Sequence, residues 1–183
     1  LWAVPVAVGD SYRGPRIVGV TGDLFREVRL PDGKDGGEGE ALRFSAGGPF
    51  AYTPKQLAEL KRDLESSDRG HDESFAGLAV AVVGSEAARD AGLRMGSRFR
   101  PAHDVSGAPG AAEHAEAEAQ VVGVLAPTGT PMDRAIYVPI CLYFVIAGHA
   151  PTAVTAEGGA RDPRGLSAIY LRTKAGMHQI GIW

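Results

Sequence analysis

The 183-residue chain contains no asparagine, a single cysteine (Cys141), and only 4 lysines among its 19 basic residues. One cysteine excludes an intramolecular disulfide and any multi-cysteine zinc cluster. Long apolar runs are missing as well. The longest uncharged apolar stretch, 135–148, has 14 residues with Pro139 inside it, whereas a membrane-spanning helix needs about 20. A basic surplus is also absent: the formal net charge is −3, which argues against nucleic acid or an anionic membrane surface as a partner. Neither an initiator methionine nor a basic-then-apolar leader stands at Leu1. The expectation is an excised piece of a longer protein.

What is present is small and apolar. Gly, Ala and Pro account for 25, 28 and 12 residues, while Leu, Ile, Val and Phe supply 42, or 23% of the chain. That exceeds the roughly 20% below which disorder is expected. A single unit of this size buries on the order of 70% of its unfolded surface, so neither a disulfide nor a metal is needed to hold it together. The Gly and Pro residues concentrate at 31–40, 106–110, 127–131 and 158–165, between short runs of Val, Ile and Leu. One domain, 1–183, with two lobes at most, is the expected organisation.

The apolar runs of 1–8 and 15–20, separated by Gly9-Asp10-Ser11-Tyr12-Arg13-Gly14, predict two strands joined by a turn. Thr53-Pro54-Lys55-Gln56 is a capping box with proline at the first helical position, and Leu57, Leu60 and Leu64 follow on one face. A helix from Pro54 to about Glu65 is expected there. The run 78–83 predicts a buried strand, and 85–91 a short helix stopped by Gly92. Residues 105–119 read as a loop or a weak exposed helix. The clearest strands are 121–125 and 135–140; residues 141–147 either extend the second or begin a helix after Pro139. Alternation over 166–173 predicts a last strand facing the core through Ile169 and Leu171. Strands of mixed length with two or three short helices and no regular βαβ alternation define an α+β fold, a mixed-strand scaffold.

Four segments carry candidate chemistry. Gly9-Asp10-Ser11 resembles the nucleophile block of GDS-type esterases, but such enzymes also need an oxyanion-hole asparagine and a late Asp-x-x-His. The chain has neither. A turn in which Asp10 and Ser11 bond their own backbone is the expected reading. His103-Asp104 and Glu113-His114-x-Glu116 offer imidazoles and carboxylates of the types that bind Zn²⁺ or Cu²⁺, so His103 and His114 are the candidate metal ligands, although the spacing matches no compact zinc motif. The Gly-rich segments contain no G-x-x-x-x-G-K-[ST] and no strand leading through G-x-G-x-x-G into a helix, which argues against a nucleotide site. Cys141, between Ile140 and Leu142, reads as an inert core thiol.

The fourth segment is Pro127-Thr128-Gly129-Thr130-Pro131-Met132-Asp133-Arg134. Two prolines bracket Thr128-Gly129-Thr130, and Asp133 and Arg134 enter the next strand as a charge pair. It reads either as a stiff connection whose Thr hydroxyls cap backbone groups or as a preorganised contact loop, since a rigid turn loses little entropy on binding. On the second reading Thr128, Thr130, Asp133 and Arg134 touch the partner, with Tyr12 and Arg13 as a further set.

Taken in order, Gly9-Asp10-Ser11-Tyr12-Arg13-Gly14 with Arg16-Ile17-Val18-Gly19, then Val83-Gly84-Ser85-Glu86-Ala87-Ala88 with Gly92-Leu93-Arg94-Met95-Gly96-Ser97-Arg98-Phe99, then the run 121–135 ending Pro127-Thr128-Gly129-Thr130-Pro131-Met132-Asp133-Arg134-Ala135, resemble the large extracytoplasmic domain of MacB/FtsX-type ABC transporter permeases. Gly148-His149-Ala150 and the strand of 167–173 extend the resemblance, and 51–76 looks like a helical insertion. The resemblance implies a non-catalytic, periplasmic domain of a bacterial inner-membrane permease, with a β-rich sabre-like lobe and part of an αβ porter-like lobe. It implies no cofactor. Implied partners are a cytoplasmic ATPase subunit acting through the membrane part, a second permease copy, and a periplasmic adaptor or a lipoprotein or peptide substrate. The alternative reading is a metal-binding module using His103, His114 and nearby carboxylates.

Overall fold

A computed structural model describes residues 2–31, 39–52, 79–101, 118–146 and 166–172, with the side chains of 144–146 excepted. The first strand, β1 (Trp2–Ser11), pairs antiparallel with β2 (Arg16–Val20). Their turn is tight because Arg13 and Gly14 take φ of 51° and 113°, the two positive values that a twist-matched hairpin turn demands. The Tyr12 N–H closes it by donating to the Pro15 carbonyl at 3.0 Å. The turn therefore sits later than the sequence suggests. Gly9, Asp10 and Ser11 belong to β1, with a register irregularity between Val8 and Ser11, and Asp10 and Ser11 are buried inside the strand. The expected local turn around them is not formed, because the two left-handed residues that can reverse the chain come only at 13 and 14.

After β2 come a one-turn helix α1 (Asp23–Glu27), a small ribbon of β3 (Arg29–Leu30) with β4 (Glu40–Ala41), and β5 (Phe44–Gly47). Then follow β6 (Val80–Val83), α2 (Ser85–Ala91), β7 (Arg98–Phe99) and β8 (Ala119–Leu125). A 3-10 turn (Pro131–Arg134) leads into β9 (Ala135–Pro139), α3 (Ile140–Ile146) and, last, β10 (Ala168–Arg172). The open choice at 141–147 falls to helix. Gly92, left-handed at φ 67°, ends α2 as expected. The helix expected at 54–65, and nearly all of the 51–76 insertion, lie outside the described residues.

The main sheet runs β10-β1-β2-β9-β6-β8-β5, with β7 on β8. Pairing is mixed: β2 with β9 and β6 with β8 are parallel, and the rest antiparallel. The fold is α+β. Its central strands are buried on both faces, which is why 80–83 reads as an unbroken Val-Ala-Val-Val rather than an alternation. Ala81, Val83, Ile136 and Val138 face one core with α2, Phe99 and the α3 residues Leu142 and Tyr143; Val82 and Tyr137 face the other with Leu24, Phe25 and Phe50. Phe25 organises the second core, meeting Phe50 edge-on at 5.1 Å and Tyr137 edge-on at 5.8 Å between ring centroids, the arrangement the ring quadrupoles favour.

One core expectation is overturned. The strand at 168–172 forms, but it lies at the sheet edge beside β1 alone, and Ile169 and Leu171 are 54% and 61% exposed. Alternation of residue type sets which side chains share a face; burial needs a second layer, and no described element packs there.

Candidate functional site

Register places the candidate residues. Arg16 at the start of β2 pairs with Ala135 at the start of β9, so the Tyr12–Pro15 turn and the 126–134 loop emerge side by side at one end of the sheet. The C-terminal ends of β6 and β8 arrive there too, since Val83 pairs with Ile136 and with Val124. Six residues singled out in two distant segments thus share one end of the molecule.

The loop is held together from within. Thr128 N–H donates to both carboxylate oxygens of Asp133 (2.9 and 3.1 Å), and Gly129 N–H donates to Oδ2 at 2.8 Å. The Thr128 and Thr130 hydroxyls bond each other at 2.8 Å, Thr130 N–H donates to Thr128 Oγ1, and Met132 N–H donates to Thr130 Oγ1. Thr130 is thereby the side-chain cap of the 3-10 turn, with Pro131 at its first position. From the opposite face Tyr137 donates its hydroxyl to the Met132 carbonyl at 3.2 Å. Gly84, at the β6–α2 junction, donates to the Ala135 carbonyl at 2.9 Å and lies against the Met132 and Asp133 carbonyls.

Asp133 is only 3% exposed. Burial disfavours its charged form, yet the Thr128 N–H and hydroxyl, the Ser85 hydroxyl and the Gly129 N–H together outweigh that and hold the carboxyl below its ordinary value. Arg134 does not pair with it. Its guanidinium reaches 48 residues back to Glu86 on α2, Nε to Oε2 at 2.8 Å, with both ends open to solvent. The expected Asp133–Arg134 charge pair is therefore replaced by an inward carboxylate and an outward interelement ion pair. Both residues belong to the 3-10 turn, where about three residues per turn set neighbouring side chains about 120° apart, so the two project in different directions.

Among the sequence candidates, Thr128, Thr130 and Asp133 shape the loop, and Pro127, Gly129, Pro131 and Arg134 form its exposed surface. Tyr12 is half-buried, its ring 5.1 Å from that of Phe99, and the Arg13 guanidinium lies 5.2 Å above the Tyr12 ring, within cation–π range. His103 and His114 lie outside the described residues. Among the described residues no group of three or more His, Cys, Asp or Glu side chains could hold a metal ion. The sequence gives no sign of Glu86 and Gly84 as loop partners, because nothing in a linear reading connects 84–86 with 132–135 before the β6–β9 pairing is known.

Cys141, 8% exposed, behaves as a core thiol, with burial pushing its pKa up. Thiol-reactive reagent should leave it unmodified in the folded chain and label it stoichiometrically in denaturant, since the thiolate is the reacting species. Rapid labelling under native conditions would contradict the burial.

No protein-family model matches the chain. No curated protein matches it. Among solved structures, the extracellular domain of the noncanonic ABC-type transporter YknZ from Gram-positive bacteria is similar over 80% of this chain and 58% of that chain, with 14% identity and a TM-score of 0.39. The periplasmic region of MacB from Actinobacillus actinomycetemcomitans is similar over 79% of this chain and 50% of that chain, with 13% identity and a TM-score of 0.41. The match thus spans 58% of the length of the first and half of the second. Likeness at this level does not transfer a function. Among the described residues no helix is long and apolar enough to cross a membrane.

Proposed function

We propose that the chain is a non-catalytic extracytoplasmic domain of an ABC transporter permease, and that it meets its substrate or partner protein through the sheet end formed by the 126–134 loop and the Tyr12–Pro15 turn. The observation that carries this reading is the Arg16–Ala135 register, which brings the first and last of the resembling blocks together as neighbouring, internally bonded turns. Rigid loops on a strand scaffold lose little entropy when a partner docks. On this reading a cytoplasmic ATPase subunit and a second permease copy complete the machine, and ATP hydrolysis is coupled to events at this end.

The test uses the intact gene product, tagged in its own cells. It should fractionate with the membrane, be cleaved by protease added outside spheroplasts, and co-purify with an ATP-binding subunit. Arg134→Ala should then impair transport or partner activation while leaving the melting temperature of the domain unchanged, because an exposed ion pair adds little to stability. A product confined to the cytosol overturns the permease reading; unimpaired transport in the Arg134→Ala protein removes the loop from it.

A further inference from the structure

The β1–β2 turn carries two arginines that no carboxylate answers. Arg13 and Arg16 are exposed, and neither makes an ion pair among the described residues. By contrast Arg26, Arg43, Arg89, Arg98 and Arg134 each hold a carboxylate at the surface. The nearest acid along the chain, Asp10, is 4% exposed and presents no charge on the surface of the turn. Both guanidinium groups are nonetheless positioned. That of Arg13 lies over the Tyr12 ring, which rests in turn on buried Phe99, so stacking aims it without engaging its N–H donors. Arg16 gives one N–H, from Nη1, to the Gly9 carbonyl at 3.1 Å and keeps the rest of its fork. The backbone adds a second observation. Arg13 is the one non-glycine residue with positive φ among the described residues, at 51°, a region that glycine or asparagine occupies at lower cost. A turn that served reversal alone would carry one of those; strain kept at such a position points to a use for the side chain.

We propose that this turn is the docking point for an acidic peptide segment of a partner protein, whose carboxylates take the open donors of Arg13 and Arg16. The inference rests on the contact end proposed above and names the chemistry of what meets it. A planar guanidinium matches a carboxylate through two parallel N–H bonds, and a stacked one loses less freedom in forming them. A turn with two cations suits a peptide better than a lipid surface, since recognition of anionic lipid takes a cluster of about 4–8 basic residues. The net charge of −3 acts in the same sense. It disfavours an extended anionic surface, while a short acidic segment within a Debye length of about 8 Å feels chiefly the local pair.

The test is an amide NMR titration of the full 183-residue chain at low ionic strength with a short peptide of alternating glutamate and serine. The expected results are saturable shifts at Tyr12, Arg13, Gly14 and Arg16 and an affinity that falls as salt is raised. Arg13→Ala and Arg16→Ala should each bind about tenfold more weakly, the loss of one charge-assisted contact. Arg94→Ala, which removes another exposed arginine without an ion pair among the described residues, should bind like the wild type. Arg13→Gly should bind as weakly as Arg13→Ala yet melt above it, because glycine relaxes the left-handed backbone; weak binding in that chain is then no consequence of unfolding. Absence of shifts at the turn, an equal loss in Arg94→Ala, or full affinity in Arg13→Ala each overturns the proposal. So does tighter, Arg13-dependent binding to phosphatidylglycerol vesicles, which would assign the turn to a membrane. Failure of the permease reading is seen separately, as a cytosolic gene product whose purified chain still binds the peptide.

Discussion

Gly84→Ala is expected to destabilise the fold by about 3 kcal/mol, the upper end of the range for forcing a methyl into a closed space. The backbone of Gly84 is extended, φ −64° and ψ 154°, so alanine suffers no conformational penalty there. By itself the change would stabilise the chain by about 0.4–1 kcal/mol through the unfolded state. The opposite sign is expected because the added Cβ would run into the carbonyls of Met132 and Asp133. Those are backbone atoms, so no rotamer change relieves them. They are also pinned, the first by the Tyr137 hydroxyl and the neighbouring peptide by the bond from Gly84 N–H to Ala135. With a urea dependence of about 2 kcal/mol per molar, the unfolding midpoint should fall by about 1.5 M. An unchanged midpoint would mean that the 3-10 turn is not seated against the β6–α2 junction.

Legibility of the fold follows the range of the interactions involved. Helix α2 is readable because Ser85-Glu86-Ala87-Ala88 leads to a terminating glycine, and β6, β8 and β9 are readable because valine and isoleucine crowd into runs that turn residues bound. These are signals within a few residues. The β1–β2 turn falls later than the sequence suggests because Gly9 looks like a turn glycine; it lies within β1 with the Tyr143 side chain close against it, a contact across more than 130 residues. Ile169 and Leu171 read as core residues for a related reason. Alternation reports the period of a strand and is silent on whether a second layer exists.

The site is legible as a segment but not as a mechanism of rigidity. Two prolines around Thr-Gly-Thr announce a stiff loop, and the capping by threonine hydroxyls follows from residue type. Which way Asp133 and Arg134 point does not. Their fates are decided by the β6–β9 pairing, which brings Glu86 within reach of one and Ser85 within reach of the other. That division separates the residues that a partner could touch from those that hold the loop in shape, and it moves Asp133 from the first group to the second.

Asp133→Asn should therefore cost about 2–3 kcal/mol, because a charged acceptor facing two backbone N–H groups is replaced by an amide that meets one of them with donors. The loss should carry a pH signature. The native carboxyl is held below the ordinary carboxylate value, which for an unfolded Asp is about 3.9, so its contribution is complete above about pH 3.9 and disappears as the pH falls through the lower native value. The amide of the Asp133→Asn chain has no proton to take up in that window. The stability difference between wild type and variant should be constant from about pH 7 to about pH 5 and shrink below about pH 4, as read from urea midpoints at each pH. A difference that does not narrow in acid would mean that the shape of the side chain, and not its charge, orders the loop. In that case Asp133→Ala and Asp133→Asn would differ widely, whereas a charge-based latch predicts that they fall close together.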